Sequence, residues 1–275
     1  GTVIITPESS EIIDVTDALV TGSFAPVIYS GTGTTTTTNS GDVGQSINVG
    51  FKPDLVWIKN RSQSYNHCLF DVLRPTDVSE GFDSYPVIYS NDTSEESNLG
   101  SGGFLSFDPM GFSIGSQAWI NRDSDELVAW CWSSGSDTTE TNNDGTLESQ
   151  VRTDNQFSVF KYNGNTNEGA DASVGHGLGQ VPGFAIIKKL NDSGPWAIYH
   201  KSMPIDQQVF LNSAAGQESD NTLWTTRPTN SVFNLGGSNY VNYNQEYIGY
   251  AWTETPGVSS FGSYTGNGSS SGPVV

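Results

Sequence analysis

Residues able to do chemistry are plentiful in this chain, but few stand at the spacings that chemistry requires. Asp54 and Asp71 fall in strand-like stretches, and Asp123, Asp125 and Glu126 crowd one short loop. A glycoside hydrolase holds two carboxyl groups a fixed distance apart across the scissile bond. Aligned on itself, the chain places His200 opposite Asp71 and Gly183 opposite Asp54, so no carboxylate dyad is used twice. The loop acids read as a solvated tip. His67, His176 and His200 are scattered, with no H-x-x-x-H or C-x-x-C pairing of the kind zinc sites use. Asn142-Asn-Asp-Gly-Thr146 and Asp92-Thr-Ser-Glu-Glu96 carry oxygen ligands suited to calcium, but without a recognisable loop spacing. No Gly-x-Ser-x-Gly elbow follows a strand. Gly175-His-Gly-Leu-Gly179 is only superficially like a phosphate loop, because it precedes a strand and not a helix. The expectation is a protein that is not an enzyme, with no catalytic residues and no cofactor.

What remains is binding. Trp119-Ile-Asn121 and Tyr240-Val-Asn242 occupy equivalent loop tips, with Arg122 and Tyr243 alongside. A glycan site takes an aromatic face with amide neighbours, so Trp119, Asn121, Tyr240 and Asn242 are the candidate glycan-binding residues. The competing reading is a turn in which asparagine caps the backbone and the aromatic ring folds onto the sheet. Trp57, Trp130, Trp132 and Trp252 lie inside strand periodicity, and are expected in the core or in packing between units.

Charge narrows the partners. The 275 residues carry 11 Lys plus Arg against 30 acids, a formal charge of −19. No cationic face can be assembled to displace counterions from nucleic acid, and an anionic membrane surface is disfavoured for the same reason. No run reaches 18 apolar residues, so membrane insertion is not expected. Cys68 and Cys131 fall opposite small alanines, Ala197 and Ala251, and are expected to be free thiols filling core positions.

The elements that must position these residues come in duplicate. Gly111-Phe-Ser-Ile-Gly-Ser116, followed by Glu126-Leu-Val-Ala-Trp-Cys-Trp132, recurs as Val232-Phe-Asn-Leu-Gly-Gly237 and Glu246-Tyr-Ile-Gly-Tyr-Ala-Trp252. The two-residue alternation predicts strands, and each pair reads as a large β-hairpin in the middle of a sheet. Pro53 to Lys59 recurs at Pro182 to Lys188, and Tyr29-x-Gly31 at Tyr162-x-Gly164 and again at Tyr264-x-Gly266. The 31 glycines and the lack of long amphipathic stretches favour an all-β chain of two tandem antiparallel β-sandwiches. The boundaries expected are an N-terminal arm at 1–25, a first sandwich at 26–135 and a linker at 136–150. A second sandwich follows at 151–256, then a C-terminal strand, the start of a further repeat, at 257–275.

Several ordered blocks carry a family resemblance: Phe51-Lys-Pro-Asp-Leu-Val-Trp-Ile-Lys-Asn-Arg-Ser62, Leu69-Phe-Asp71, Ser106-Phe-Asp-x-x-Gly-Phe-Ser-Ile-Gly115, Leu127 to Trp132, Val174-Gly-His-Gly-Leu-Gly179 and Phe261-Gly-Ser-Tyr-Thr-Gly-Asn-Gly268. Residues 27–275 resemble a repeated module, a domain of unknown function, of tail-fibre-like structural proteins from marine tailed bacteriophages. The resemblance implies a jelly roll of concanavalin or laminin-G type, with calcium the one cofactor it allows. It implies a virion structural protein, extracellular, partnered by copies of itself or other virion proteins and adhering to a host-surface glycan. The alternative is a secreted or cell-surface bacterial carbohydrate-binding module or a filament subunit, with the 1–25 arm pairing onto a neighbour's sheet edge.

Overall fold

Alternating apolar residues build strands whose two faces differ, and such strands must bury one face against another layer. The structure, a computed structural model, describes residues 24–34, 36–38, 41–75, 84–165, 167 and 169–272. The arm expected at 1–25 lies almost wholly outside the described residues.

In the first half, a five-stranded antiparallel sheet runs β1 (Phe24–Ser30), β10 (Glu126–Trp132), β5 (Leu55–Asn60), β6 (Cys68–Asp71), β7 (Ile88–Tyr89). A three-stranded sheet runs β4 (Gln45–Asn48), β9 (Gly111–Ile114), β8 (Phe104–Asp108), and β2 (Thr36–Thr38) pairs with β3 (Gly41–Val43). The second half repeats this with additions. Its six-stranded sheet runs β11 (Glu140–Asn142), β12 (Ser149–Thr153), β13 (Phe157–Asn163), β21 (Glu246–Thr253), β15 (Pro182–Lys189), β16 (Ala197–His200). Its smaller sheets are β14 (Ala172–Gly175), β20 (Val232–Leu235), β19 (Trp224–Thr226), and the pair β17 (Gln207–Gln208) with β18 (Glu218–Ser219).

Three apolar cores hold these sheets. One lies between the sheets of the first half and includes Val56, Ile58, Phe70, Phe104, Phe112 and Ala129. A second fills the second half with Phe160, Tyr162, Ile187, Phe233, Tyr247 and Ala251. The third joins the halves: Leu55, Leu69 and Ile88 from the first pack against Val159, Ile186, Ile248 and Tyr250 from the second. These residues alternate along each strand with those of the other cores, so the two large sheets lie back to back. Antiparallel sheets commonly leave one face in water. Here β21 has its last seven residues buried, because both of its faces are covered.

One expectation is corrected, and two stretches take a more specific form. The paired motifs 111–116 and 126–132 do not form a hairpin: β9 belongs to the small sheet and β10 to the large one, as do β20 and β21. Alternation cannot separate these cases, since both strands point their apolar side into the same core. The stretch read as a linker, 136–150, carries β11 and the start of β12, which extend the second large sheet from its edge. Polar residues suit an edge strand that needs no buried face. Among the described residues of the stretch expected as a C-terminal strand, 260–272 show no strand pairing, and Phe261 is held by stacking on Phe184 at 5.8 Å.

Candidate functional site

The loop tips that sequence pointed to are built by one device used twice. After β9 the chain makes a short helix α1 (Ala118–Asn121) before entering β10. Asn121 is fully buried; its Oδ1 accepts from Thr32 N at 2.8 Å and its Nδ2 donates to Gly115 O at 2.8 Å. Asn242, also fully buried, accepts from Asn165 N at 2.9 Å and donates to Ala170 O and Gly236 O. Neither amide can therefore reach a glycan without unmaking its turn. The tyrosine of the opening strand completes the tie: Tyr29 Oη donates to Ile120 O at 2.7 Å, and Tyr162 Oη to Val241 O at 2.6 Å.

The aromatic neighbours fold onto the sheets. Trp119 is half-buried, edge-on to Tyr89 with centroids 5.2 Å apart and tilted over Tyr65 at 6.4 Å. Tyr240 is half-buried edge-on to Phe210 at 5.4 Å. Each keeps only part of its ring for contact with solvent.

The acids weighed as catalytic are placed at the seam between the halves. Asp71, Arg74 and Tyr250 form a buried cluster: Arg74 Nε lies 2.7 Å from Asp71 Oδ2, which also accepts from Tyr250 Oη at 2.6 Å. Arg74 further contacts Glu96 at 3.0 Å and donates to Leu69 O at 3.1 Å. Burial alone would lower the Arg74 pKa; the Asp71 carboxylate outweighs it, aided by Tyr250 and Glu96, and the guanidinium stays charged. Burial, with the Asp71 charge beside it, raises the Tyr250 pKa well above its ordinary value, so its hydroxyl keeps its proton. Asp54 Oδ1 pairs with Arg152 of the second half at 3.1 Å, and its Oδ2 accepts from Ser134 N and Oγ. Both acids are thus cross-links, with every oxygen engaged by a donor. Sequence reasoning missed Arg74 and Tyr250; the available signal was an Asp-x-x-Arg in an otherwise apolar run.

At one end of the seam a cleft of about 290 Å³ opens among Phe24, Trp57, Trp132, Phe184, Trp252 and Phe261. Three buried polar atoms without a hydrogen-bond partner belong to residues lining it: Trp57 Nε1, Trp252 Nε1 and Gln156 Oε1. Aromatic rings dominate the described lining of this cleft, which makes it a surface for stacking.

His176 and the two thiols are structural in their surroundings. His176 is buried edge-on to Phe233; Leu178 N donates to its Nδ1 at 3.2 Å, which leaves the proton on Nε2 facing Thr229 O at 3.3 Å. Burial lowers its pKa to about 4. Cys68 and Cys131 are free and buried, and burial pushes each thiol up to about 12. Lys188 is buried with its Nζ donating to Lys189 O at 2.7 Å; burial and the Lys189 charge lower its pKa to about 8. Among the described residues, no group of three or more His, Cys, Asp or Glu is placed to hold a metal ion, and no helix is long and apolar enough to cross a membrane.

Comparison with known proteins gives one match. No curated protein and no solved structure matches the chain. A family model described as Domain of unknown function (DUF7483) matches residues 21–275. The chain therefore belongs to the DUF7483 family.

Proposed function

We propose that the chain is a non-enzymatic virion structural protein: two tandem jelly-roll sandwiches of a phage tail-fibre, tail or capsid appendage. Its work is assembly and presentation, with adhesion to a host-surface glycan. One observation carries the structural part of this reading. The two halves repeat the same packing tie, built on Tyr29 and Asn121 in one and on Tyr162 and Asn242 in the other, while Asp54 and Asp71 make contacts that their counterparts Gly183 and His200 do not repeat. Repetition of packing without repetition of polar chemistry suits a scaffold better than a catalyst. The virion assignment rests on the resemblance of residues 27–275 to tail-fibre-like modules.

For adhesion, the seam cleft offers more aromatic surface than either loop tip. Apolar, aromatic-lined concavities with a few polar groups are the usual form of small-ligand sites. Binding of the fluorescently labelled chain to host cells tests adhesion: Trp132→Ala should reduce it, and Trp119→Ala and Tyr240→Ala should reduce it if the tips contribute. Unchanged binding in all three, or no binding by the parent chain, counts against adhesion.

A second reading, a secreted filament subunit, is favoured by the edge strand β1. Its Phe24 and Ile28 are 48% and 61% exposed, and among the described residues no strand pairs with its outer edge, which makes it a template for another chain. Deleting residues 1–25 separates the readings: loss of an open filament supports strand donation, while an unchanged closed oligomer argues against it.

A further inference from the structure

In both halves the opening strand is docked by the same four contacts. The tyrosine hydroxyl reaches a turn carbonyl, Tyr29 to Ile120 and Tyr162 to Val241. Two residues on, a glycine lies so close to the turn that a Cβ would fall 2.1 Å from Arg122 O at Gly31 and 2.0 Å from Tyr243 O at Gly164. The amides of these glycines donate to Asp125 O at 2.8 Å and to Gln245 O at 2.9 Å. The next amide, of Thr32 or Asn165, donates to the turn asparagine. Tyr, then Gly, then a polar residue is therefore a docking code read by an asparagine-bearing turn.

The code appears a third time, at Tyr264-Thr-Gly266-Asn267. Here it is undocked: Tyr264 is 69% exposed, nothing lies within 4 Å of a Cβ built on Gly266, and the segment pairs with no strand. Asn121 and Asn242, the turn asparagines among the described residues, already accept from Thr32 and Asn165, just beyond β1 and β13. An exposed tyrosine flanked by glycines has no packing reason to be there in isolation.

We infer that residues 262–268 are an interaction strand whose partner is a further half-sandwich of the same repeat. The acceptor would be a turn with a buried asparagine, and a central strand like β10 or β21 lacking its own opening neighbour. The inference rests on the tandem-repeat reading, and it adds which atoms make the joint: the Tyr264 hydroxyl, the Gly266 amide and the Asn267 amide.

The test uses the full chain carrying Tyr29→Phe and Gly31→Ala, which weakens the docking of β1. A synthetic peptide of residues 258–270, added in excess, should raise the Tm of this variant by roughly 3 °C through mass action. The same peptide with Tyr264→Phe and Gly266→Val should not. A peptide of residues 155–166, the second opening strand, is the control. If the control acts and 258–270 does not, the strand assignment is overturned while the repeat reading stands. If neither peptide acts, opening strands are not interchangeable and both fail. Should the variant not fold alone, recovery of near-ultraviolet dichroism on refolding with each peptide gives the same readout. A dimer of the unaltered chain that Tyr264→Phe dissociates would put the acceptor on a second copy and overturn the assignment to a further half.

Discussion

Tyr250 Oη donates to Asp71 Oδ2 at 2.6 Å, joining residues 179 apart in sequence across the seam between two β-sheets. The same oxygen accepts from Arg74 Nε, so a guanidinium neutralises one buried carboxylate while a phenol hydrogen-bonds it. Removing one partner of such a cluster strands the others away from water. Asp71→Ala should therefore cost about 3–5 kcal/mol, whereas Tyr250→Phe, which leaves the ion pair intact, should cost about 1–2 kcal/mol. Urea unfolding of the two variants checks the order; equal costs would show that the ion pair is not the dominant element.

The third core makes the halves one cooperative unit. Trp196, fully buried there, also donates from Nε1 to Tyr89 O across the seam at 2.9 Å. Calorimetry of the whole chain should show a single transition, and Trp196→Ala, at a cost of about 3–5 kcal/mol, should split it in two. Two transitions in the parent would mean that the halves unfold independently.

The duplicated tie predicts duplicated energetics. Tyr29→Phe and Tyr162→Phe should each cost about 1 kcal/mol, since each loses one hydrogen bond and keeps its ring. Asn121→Ala and Asn242→Ala leave buried backbone groups without partners and should cost about 2–3 kcal/mol each. Denaturant midpoints of the four variants test this, and a near-neutral asparagine variant would remove the docking role.

Much of this was legible in the sequence. The repeat, the strands of the large sheets other than β11 and β12, and the buried free thiols follow from periodicity and from residues at matched positions. The seam was not, for a physical reason. Asp54 and Asp71 differ from their counterparts Gly183 and His200 because the halves meet in non-equivalent surroundings. Asp54 and Asp71 reach across to Arg152 and Tyr250, while a Cβ at Gly183 would fall 2.6 Å from the Phe261 ring. A repeat shows what two units share, and the surface where they meet is where they must differ. The loop-tip asparagines were visible as a pair; that both amides are buried could be seen only from their partners in the fold.

His176 gives the chain a pH limit. Its folded pKa, about 4, lies below the ordinary value near 6.5, so between those values the unfolded chain binds more protons. The stability from keeping this imidazole neutral is full above pH 6.5 and is lost as pH falls toward 4, about 3 kcal/mol in all. His176→Gln should flatten that part of the stability curve. An unchanged slope would locate the acid sensitivity elsewhere.

Gly249 sits beneath Phe160, where an added Cβ would fall 2.2 Å from the ring. Gly249→Val should therefore disrupt the second core, costing about 3 kcal/mol or more, because a rigid ring in a close-packed interior cannot move aside freely. A Tm within a degree of the parent would contradict this packing.

The central claim is that the chain works by assembly, and the mass and shape of the purified particle test it most directly. Light scattering with negative-stain imaging should find a closed oligomer or an elongated rod many times longer than one 29.5 kDa chain. A compact monomer of that mass at every concentration would contradict the claim.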